Sequence, residues 1–344
     1  MTVPQLWFAD GGVQEREAPP AALTSELSAL VRPLAVSTCD MDAAALSGLV
    51  RFRPAALGHE AVAEVLDVGA GVRQVRPGQR VVVPWQISCG TCARCLRGQD
   101  AHCTTVPAGA CYGWGPHASV YGGLLTDTVS IPYADHMLAP LPDGLAPEAA
   151  SGLGDNLVDA WRAVAPPLVE TEGTDVLVIG GVLPWGGSIG LYAAATARAL
   201  GAERVVLLSQ DARQCELAEQ LGAEAVLVDG VDYPDVGRFE VTVDTSGLRE
   251  GLAAALRSTG PYGVCTCTAG AVHRGADTAI PVYDMYQQCV TLRTGWVSTR
   301  PLIDHAAWLL TTGGLDPLGI GQVVRWADAP EALSQPFVKI VVTR

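Results

Sequence analysis

Residues 175–209 read DVLVIGGVLPWGGSIGLYAAATARALGAERVVLLS. VLVIGG (176–181) is a continuously apolar run closed by two glycines. SIGLYAAATARALGA (188–202) has the composition of an Ala-rich helix ending at Gly201, and RVVLLS (204–209) reads as a second buried strand around the apolar run 205–208. A strand with no polar alternation is buried on both faces, and a helix between two such strands makes them parallel neighbours in one sheet. The pattern continues downstream. ARQCELAEQLGA reads as a helix, AVLVDG as a third strand, and FEVTVDTSG, GVCTCTAG and CVTLRTG as further strands with helical spacers. Upstream, DNLVDAWRAV is a short amphipathic helix that the Pro166–Pro167 pair is expected to stop.

The first 150 residues have another texture: short β-rich pieces cut by turns. AVAEVLDVGAGV, the RPGQ turn and RVVVPW form strand, turn and strand, and PFVKIVVTR closes the chain with one more strand. With 344 residues, 49% hydrophobic and only 17% charged, the chain can bury two domain-sized cores. Acidic residues outnumber basic ones 36 to 22, for a net charge of −14, which disfavours nucleic acid and anionic membranes as partners. The start MTVPQLWFADGG lacks the basic and apolar parts of a secretory signal, and no run of about twenty apolar residues occurs. The expectation is a soluble, cytoplasmic protein with no membrane partner, whose ten cysteines are thiols or metal ligands.

Four of those cysteines, Cys89, Cys92, Cys95 and Cys103, crowd into SCGTCARCLRGQDAHC. The spacing suits one tetrahedral Zn²⁺, and four sulfurs leave no open coordination position, so this zinc is structural. Redox thiols and an iron–sulfur cluster are the weaker alternatives. Cys39 in STCDMD, His59 in LGHE and Asp155 in GLGDNLVDAW each have an ordinary explanation alone: a strand end, a turn, a helix cap.

Taken in order, the motifs resemble the zinc-dependent medium-chain dehydrogenase/reductase superfamily, alcohol dehydrogenase group. They run from Cys39 and Asp42 through Gly58-His59-Glu60, the four-cysteine lobe, Asp155, the Gly-rich strand–turn–helix and DTSG (244–247) to the final KIVV strand. The resemblance implies a catalytic zinc on Cys39, His59 and Asp155 with an open fourth position, and Asp42 and Glu60 behind the ligands. It implies Trp85 in the substrate pocket. Two departures stand out. Met41 occupies a position where the family commonly has a proton-relaying Ser or Thr, and Ala44 cannot replace a relay histidine. The proton then travels by Asp40, by water or through the substrate.

VLVIGG and SIGLYAAATARALGA match a Rossmann unit, with the pyrophosphate at the helix start. Gly180, Gly181, Gly187, Ser188, Ile189 and Gly190 are its candidate contacts, although GVLPWGGSI between Gly180 and Gly190 exceeds the usual motif. Trp185 in that stretch either covers the cofactor or packs on the surface. After the second strand, Ser209 and Arg213 fit a 2′-phosphate while Asp211 argues for a free ribose, and the balance tips to NADP(H) over NAD(H). Lys339 matches a position where a basic residue meets the pyrophosphate.

The resulting expectation is an α/β chain of two domains. A chaperonin-10-like (GroES-like) β-rich catalytic domain spans 1–155 and 293–344, and a doubly wound Rossmann domain spans 156–292. Its activity would be zinc-dependent NAD(P)(H) hydride transfer to or from an alcohol or carbonyl carbon whose oxygen the zinc polarises, in a homodimer or homotetramer. An imine or conjugated C=C reductase with only a structural zinc is the alternative that Met41 keeps open. A non-catalytic dinucleotide-binding sensor is the alternative of another kind.

Overall fold

The computed structural model describes residues 2–9, 12–49, 54–114, 118–181, 187–269 and 277–344. It contains two compact units. One comprises Met1–Val158, Val297–Thr311 and Gly321–Arg344; the other comprises Asp159–Trp296 and Thr312–Ile320.

The first unit is built from β1 (Val3–Ala9), β2 (Gly12–Ala18), β3 (Ala29–Ser37), β4 (Ala55–Ala56), β5 (Glu60–Val68), β6 (Arg80–Val83), β7 (Val129–Ile131) and β8 (Ala139–Pro140). β1 pairs with β2 and β4 in a small antiparallel sheet. The larger sheet is centred on β3 and β5, whose antiparallel ladder slips register between Leu30 and Val31 and again between Pro33 and Ala35. Pro33 has no N–H to give the ladder, which accounts for the second slip. Val31, Ala35, Ala61, Val62, Ala63 and Val65 are all wholly buried along this ladder. Two late strands, β15 (Gln322–Arg325) and β16 (Ile340–Thr343), complete the sheet. β16 lies antiparallel to β3 with Val341 opposite Ser37, which brings the end of the chain beside Thr38 and Cys39.

The second unit holds the six parallel strands β9 (Asp175–Ile179), β10 (Arg204–Ser209), β11 (Glu224–Leu227), β12 (Phe239–Asp244), β13 (Thr259–Cys267) and β14 (Thr291–Thr294). Their order is β11-β10-β9-β12-β13-β14, so chain direction across the sheet reverses between β9 and β12. The carboxyl ends at such a reversal form the usual ligand crevice of an open α/β sheet. Leu177, Ile179, Val206, Leu208, Phe239 and Leu256 make the core beneath.

Among the described residues, the α-helices of seven residues or more are α1 (Asp40–Leu46), α2 (Asn156–Thr171), α3 (Ser188–Ala199), α4 (Ala212–Gln220), α5 (Arg249–Ser258), α6 (Val282–Gln288) and α7 (Ile303–Thr311). α3 ends before Gly201, as its sequence predicts. α2 corrects the expectation that Pro166 and Pro167 stop it, because both lie inside the helix. Each proline forfeits one N–H, but its fixed φ is helical, and Pro167 is buried. Beyond them the turn is closed by the Thr171 hydroxyl donating to Pro167 O at 2.9 Å and by Gly173 N–H donating to Leu168 O at 3.2 Å. No helix among the described residues is long and apolar enough to cross a membrane.

Candidate metal centres and cofactor turn

Cys39 leaves β3 as the N-cap of α1. Its sulfur accepts the Met41 N–H at 3.2 Å, while Asp42 Oδ2 accepts the Cys39 N–H at 2.9 Å. This reciprocal box fixes thiol and carboxylate together. His59 follows Gly58, whose φ of +90° and 2.8 Å approach to Leu125 N leave no place for a Cβ. The His59 ring is wholly buried, with Nδ1 3.7 Å from Asp42 Oδ2 and Nε2 3.3 Å from Asp155 Oδ2. Neither nitrogen makes a directed hydrogen bond. Ligand atoms of Cys39, Asp42 and His59 all lie within 4.8 Å of one another.

Asp155 reaches this group because Gly154 lets its turn touch the sheet. A Cβ on Gly154 would stand 2.6 Å from Val83 O and 2.8 Å from Glu60 Cα. The sequence reads Asp155 as a helix cap; in the structure Glu60 Oε2 accepts the Asn156 N–H at 2.9 Å, and the Asp155 carboxylate faces His59.

The electrostatics are short of positive charge. Burial pushes the Cys39 thiol up to about 12 against the pull of His59, and the Asp42 and Asp155 carboxylates push the same way as burial. Burial alone would lower His59, yet the Cys39 and Asp42 charges hold it well above its ordinary value. A buried imidazole with two unbonded nitrogens, among one thiol and two carboxylates, is costly as it stands. A divalent cation would take one His59 nitrogen together with the thiolate and carboxylate charge, leaving the other nitrogen to a hydrogen-bond acceptor, and the sulfur, nitrogen and oxygen donors suit Zn²⁺. The residues therefore fit the ion.

Around the group, Trp114 meets the His59 ring edge-on at 6.3 Å and stacks on Trp85 at 5.2 Å. Trp85 N–H donates to Gly154 O and Trp85 O accepts the Tyr112 N–H, both at 3.0 Å, so this aromatic wall is tied to the Asp155 turn. Trp114 has no spacing relation to the ligands, and sequence reasoning missed it. Cys111 is buried, and its thiol donates to Trp114 O at 2.8 Å. Burial pushes its thiol up to about 12, and His59 and Asp155 are close enough to act on it.

In the lobe, the sulfurs of Cys89, Cys92, Cys95 and Cys103 all lie within 4.8 Å of one another. Cys92 Sγ is 3.5 Å from Cys95 Sγ and 3.9 Å from Cys103 Sγ. A tetrahedron of 2.3 Å zinc–sulfur bonds has edges of about 3.8 Å. All four are free thiols, and among the described residues Val106 and Tyr133 pack on them as apolar support. His136, given no role by the sequence, sits at 2.5 Å from buried Asp100 and anchors the lobe's base; its carbonyl accepts Arg300 Nε–H at 2.7 Å.

At the end of β9, Gly180 N–H donates to Leu208 O at 2.7 Å, and Gly187 in the left-handed region caps α3. Ser188, Ile189 and Gly190 form the first turn of α3. Gln214, which the sequence analysis passed over, holds this turn: its Nε2 donates to Gly187 O at 2.8 Å and its Oε1 accepts the Ser209 hydroxyl at 2.6 Å. Ser209 is buried and also accepts the Asp211 N–H at 3.0 Å, so its hydroxyl is engaged within the turn. Asp211 caps α4 through the Arg213 N–H, leaving the Arg213 side chain exposed. Trp185 lies outside the described residues. Lys339 is 2% exposed, its Nζ paired with Glu60 and bonded to Thr38 O.

Comparison with known proteins gives a consistent picture. Residues 25–143 match the alcohol dehydrogenase GroES-like domain, and residues 188–310 match the zinc-binding dehydrogenase domain. The geraniol dehydrogenase of Castellaniella defragrans is 30% identical over 339 residues, covering 91% of this chain and 83% of its own. The alcohol dehydrogenase of Thermus sp. ATN1 superposes with a TM-score of 0.83 at 27% identity over 99% of both chains. A zinc-binding dehydrogenase of Sinorhizobium meliloti, bound to NADP, superposes at 0.81 over 100% of both chains with 23% identity.

Proposed function

The chain belongs to the zinc-dependent medium-chain dehydrogenase/reductase superfamily, and from that premise we propose that it interconverts an alcohol and a carbonyl compound by hydride transfer with NADP(H). The observation that carries the reading is the buried His59 with two unbonded nitrogens among Cys39, Asp42 and Asp155. Cys39, His59 and Asp155 would hold a catalytic zinc, and Cys89, Cys92, Cys95 and Cys103 a structural one. A zinc bound there supplies a Lewis acid that polarises the substrate C–O bond. The dinucleotide supplies the hydride acceptor or donor.

The chain's own residues do the rest. Asp42 holds the Cys39 backbone and faces the Nδ1 side of His59, which keeps that ring aimed with Nε2 toward Asp155. The Trp85–Trp114 stack gives the substrate an apolar wall and keeps water off, which favours alcohols and aldehydes with a hydrocarbon body over polyols. Gly187, Ser188 and Ile189 offer the α3 N-terminus to the pyrophosphate, and the exposed Arg213 is the cation for a 2′-phosphate. Met41 carries no hydroxyl and Ala44 is buried, so the proton travels by Asp40, by water or through the substrate. The active protein is read as an assembly of two or four copies, which light scattering measures.

The test is NADPH and NADH oxidation with a panel of apolar aldehydes and ketones, on the wild type and Cys39→Ser. Turnover in the wild type that falls at least 100-fold in the variant supports the reading. A second reading rests on Met41: reduction of an imine or a conjugated C=C bond without the Cys39 site. Turnover of an enone or cyclic imine that survives Cys39→Ser would replace the first reading with this one.

A further inference from the structure

The foot of the four-cysteine lobe holds donors that a zinc in the cage does not use. Ligand atoms of Cys95, Asp100 and His136 all lie within 4.8 Å of one another. Asp100 opens the short 3₁₀ turn Asp100–His102 that leads into Cys103, and its side chain is 1% exposed. Its Oδ1 is 2.5 Å from His136 Nε2, but its Oδ2 has no hydrogen-bond partner among the described residues. A buried carboxylate with one oxygen unsatisfied is costly. The setting raises that cost, because a zinc held by four thiolates carries a net double negative charge. His136 reaches the lobe from the short helix Ala134–Met137 and is seated on Gly90, where a Cβ would stand 2.5 Å from His136 Cγ. The ring is therefore held against the lobe while 26% of the side chain stays open to solvent.

We propose that Cys95, Asp100 and His136 form a further divalent-cation site, one that takes an exchangeable ion such as Zn²⁺ or Co²⁺ and shares the Cys95 sulfur with the zinc of the lobe. This rests on the four-cysteine zinc of the function proposed above. Thiolate, imidazole and carboxylate are the donor types that such ions select. The ion takes the place of the proton between His136 Nε2 and Asp100 Oδ1, which leaves to solvent, and its charge compensates the carboxylate with its unpaired Oδ2 and the thiolate excess beside it. A thiolate already bound to one zinc is a weaker donor to a second ion, and the open face of His136 admits water and chelators. The site therefore fills when free metal is present and empties on desalting, while the cage zinc stays. When filled, it braces the lobe against the 134–137 helix, whose His136 carbonyl already accepts the Arg300 Nε–H.

The experiment adds Co²⁺ to the desalted, zinc-loaded protein. It reads the cobalt bound per chain by calorimetry, the thiolate-to-cobalt absorption in the near ultraviolet, and the zinc retained by elemental analysis. Zinc holds such donors more tightly than cobalt does, so retained zinc shows that the cobalt has entered a site of its own. The titration is repeated on Asp100→Asn and on His136→Gln. His136 lies outside the cysteine loop, so His136→Gln is the variant to read if Asp100→Asn loses the lobe zinc. The expected result is one further cobalt per chain with a thiolate band, bound at least 10-fold more weakly in each variant and unchanged in His59→Ala. No cobalt beyond the retained zinc means that His136 and Asp100 form an ion pair only, and overturns the inference. Cobalt bound only at the expense of zinc, bound without the thiolate band, or bound equally by His136→Gln and the wild type overturns it as well. A His59→Ala protein that holds no zinc overturns the four-cysteine reading itself, and this inference with it.

Discussion

Replacing Gly154 by alanine adds one methyl group at the point where the Asp155 turn presses on the sheet. That carbon would stand 2.6 Å from Val83 O and 2.8 Å from both Cα and Cβ of Glu60, none of them the free end of a flexible side chain. Moving from 2.6 Å to an ordinary contact near 3.4 Å requires the turn to retreat by about 0.8 Å. Asp155 is the next residue, and its carboxylate stands 3.3 Å from His59 Nε2. A zinc ligand tolerates about 0.2 Å of error, so a displacement several times larger removes Asp155 from the set. Overpacking itself costs about 1–3 kcal/mol, which a chain with this much buried surface survives. Gly154→Ala should therefore fold, keep the four-cysteine metal and lose the second after dialysis against a mild chelator, with alcohol–carbonyl turnover falling about 100-fold. Metal content by elemental analysis and steady-state kinetics check this together. A Gly154→Ala protein with both metals and wild-type turnover would refute the placement of Asp155.

Other consequences follow from the same geometry. Cys92→Ser removes one corner of the four-sulfur cage; the lobe at 89–103, with little apolar support, should lose its metal and become the first site of proteolytic cleavage, while His59-dependent metal persists. Gln214→Ala takes the closer acceptor from the buried Ser209 hydroxyl and frees Gly187 O, so it should destabilise the protein by about 1–3 kcal/mol in urea titrations and raise the dinucleotide KM about 10-fold. Arg213→Ala should raise the KM for NADPH about 10-fold and leave that for NADH unchanged, a ratio read directly from cofactor titrations. Trp114→Ala opens the wall beside His59 and should shift kcat/KM toward bulkier carbonyl substrates by about 10-fold, measured on a homologous aldehyde series.

Much of this was legible in the chain, for reasons that are local. Apolar runs such as 176–179 and 205–208, with an Ala-rich helical stretch between them, announce parallel strands buried on both faces. The cysteine spacing 89-92-95-103 encodes a cage within one short loop. Features that depend on distant segments were hidden. Trp114 touches His59 only because the 110–112 stretch returns beside Trp85–Ile87. Gln214 and Gly187 are neighbours only after α4 folds back under the turn. Lys339 looked like a strand-end cation offered to a phosphate, and its burial against Glu60 follows from β16 pairing with β3. Pro166 and Pro167 were misread because a propensity rule counts the two lost hydrogen bonds but not the burial that offsets them.

The central claim is that His59 belongs to a second metal site distinct from the four-cysteine lobe. Zinc per chain, measured by elemental analysis on the wild type and on His59→Ala prepared in parallel, tests it most directly. The account predicts two zincs in the wild type and one in the variant, with the lobe's zinc retained in both. One zinc in each protein would contradict it, leaving the lobe intact and the Cys39 site without a metal.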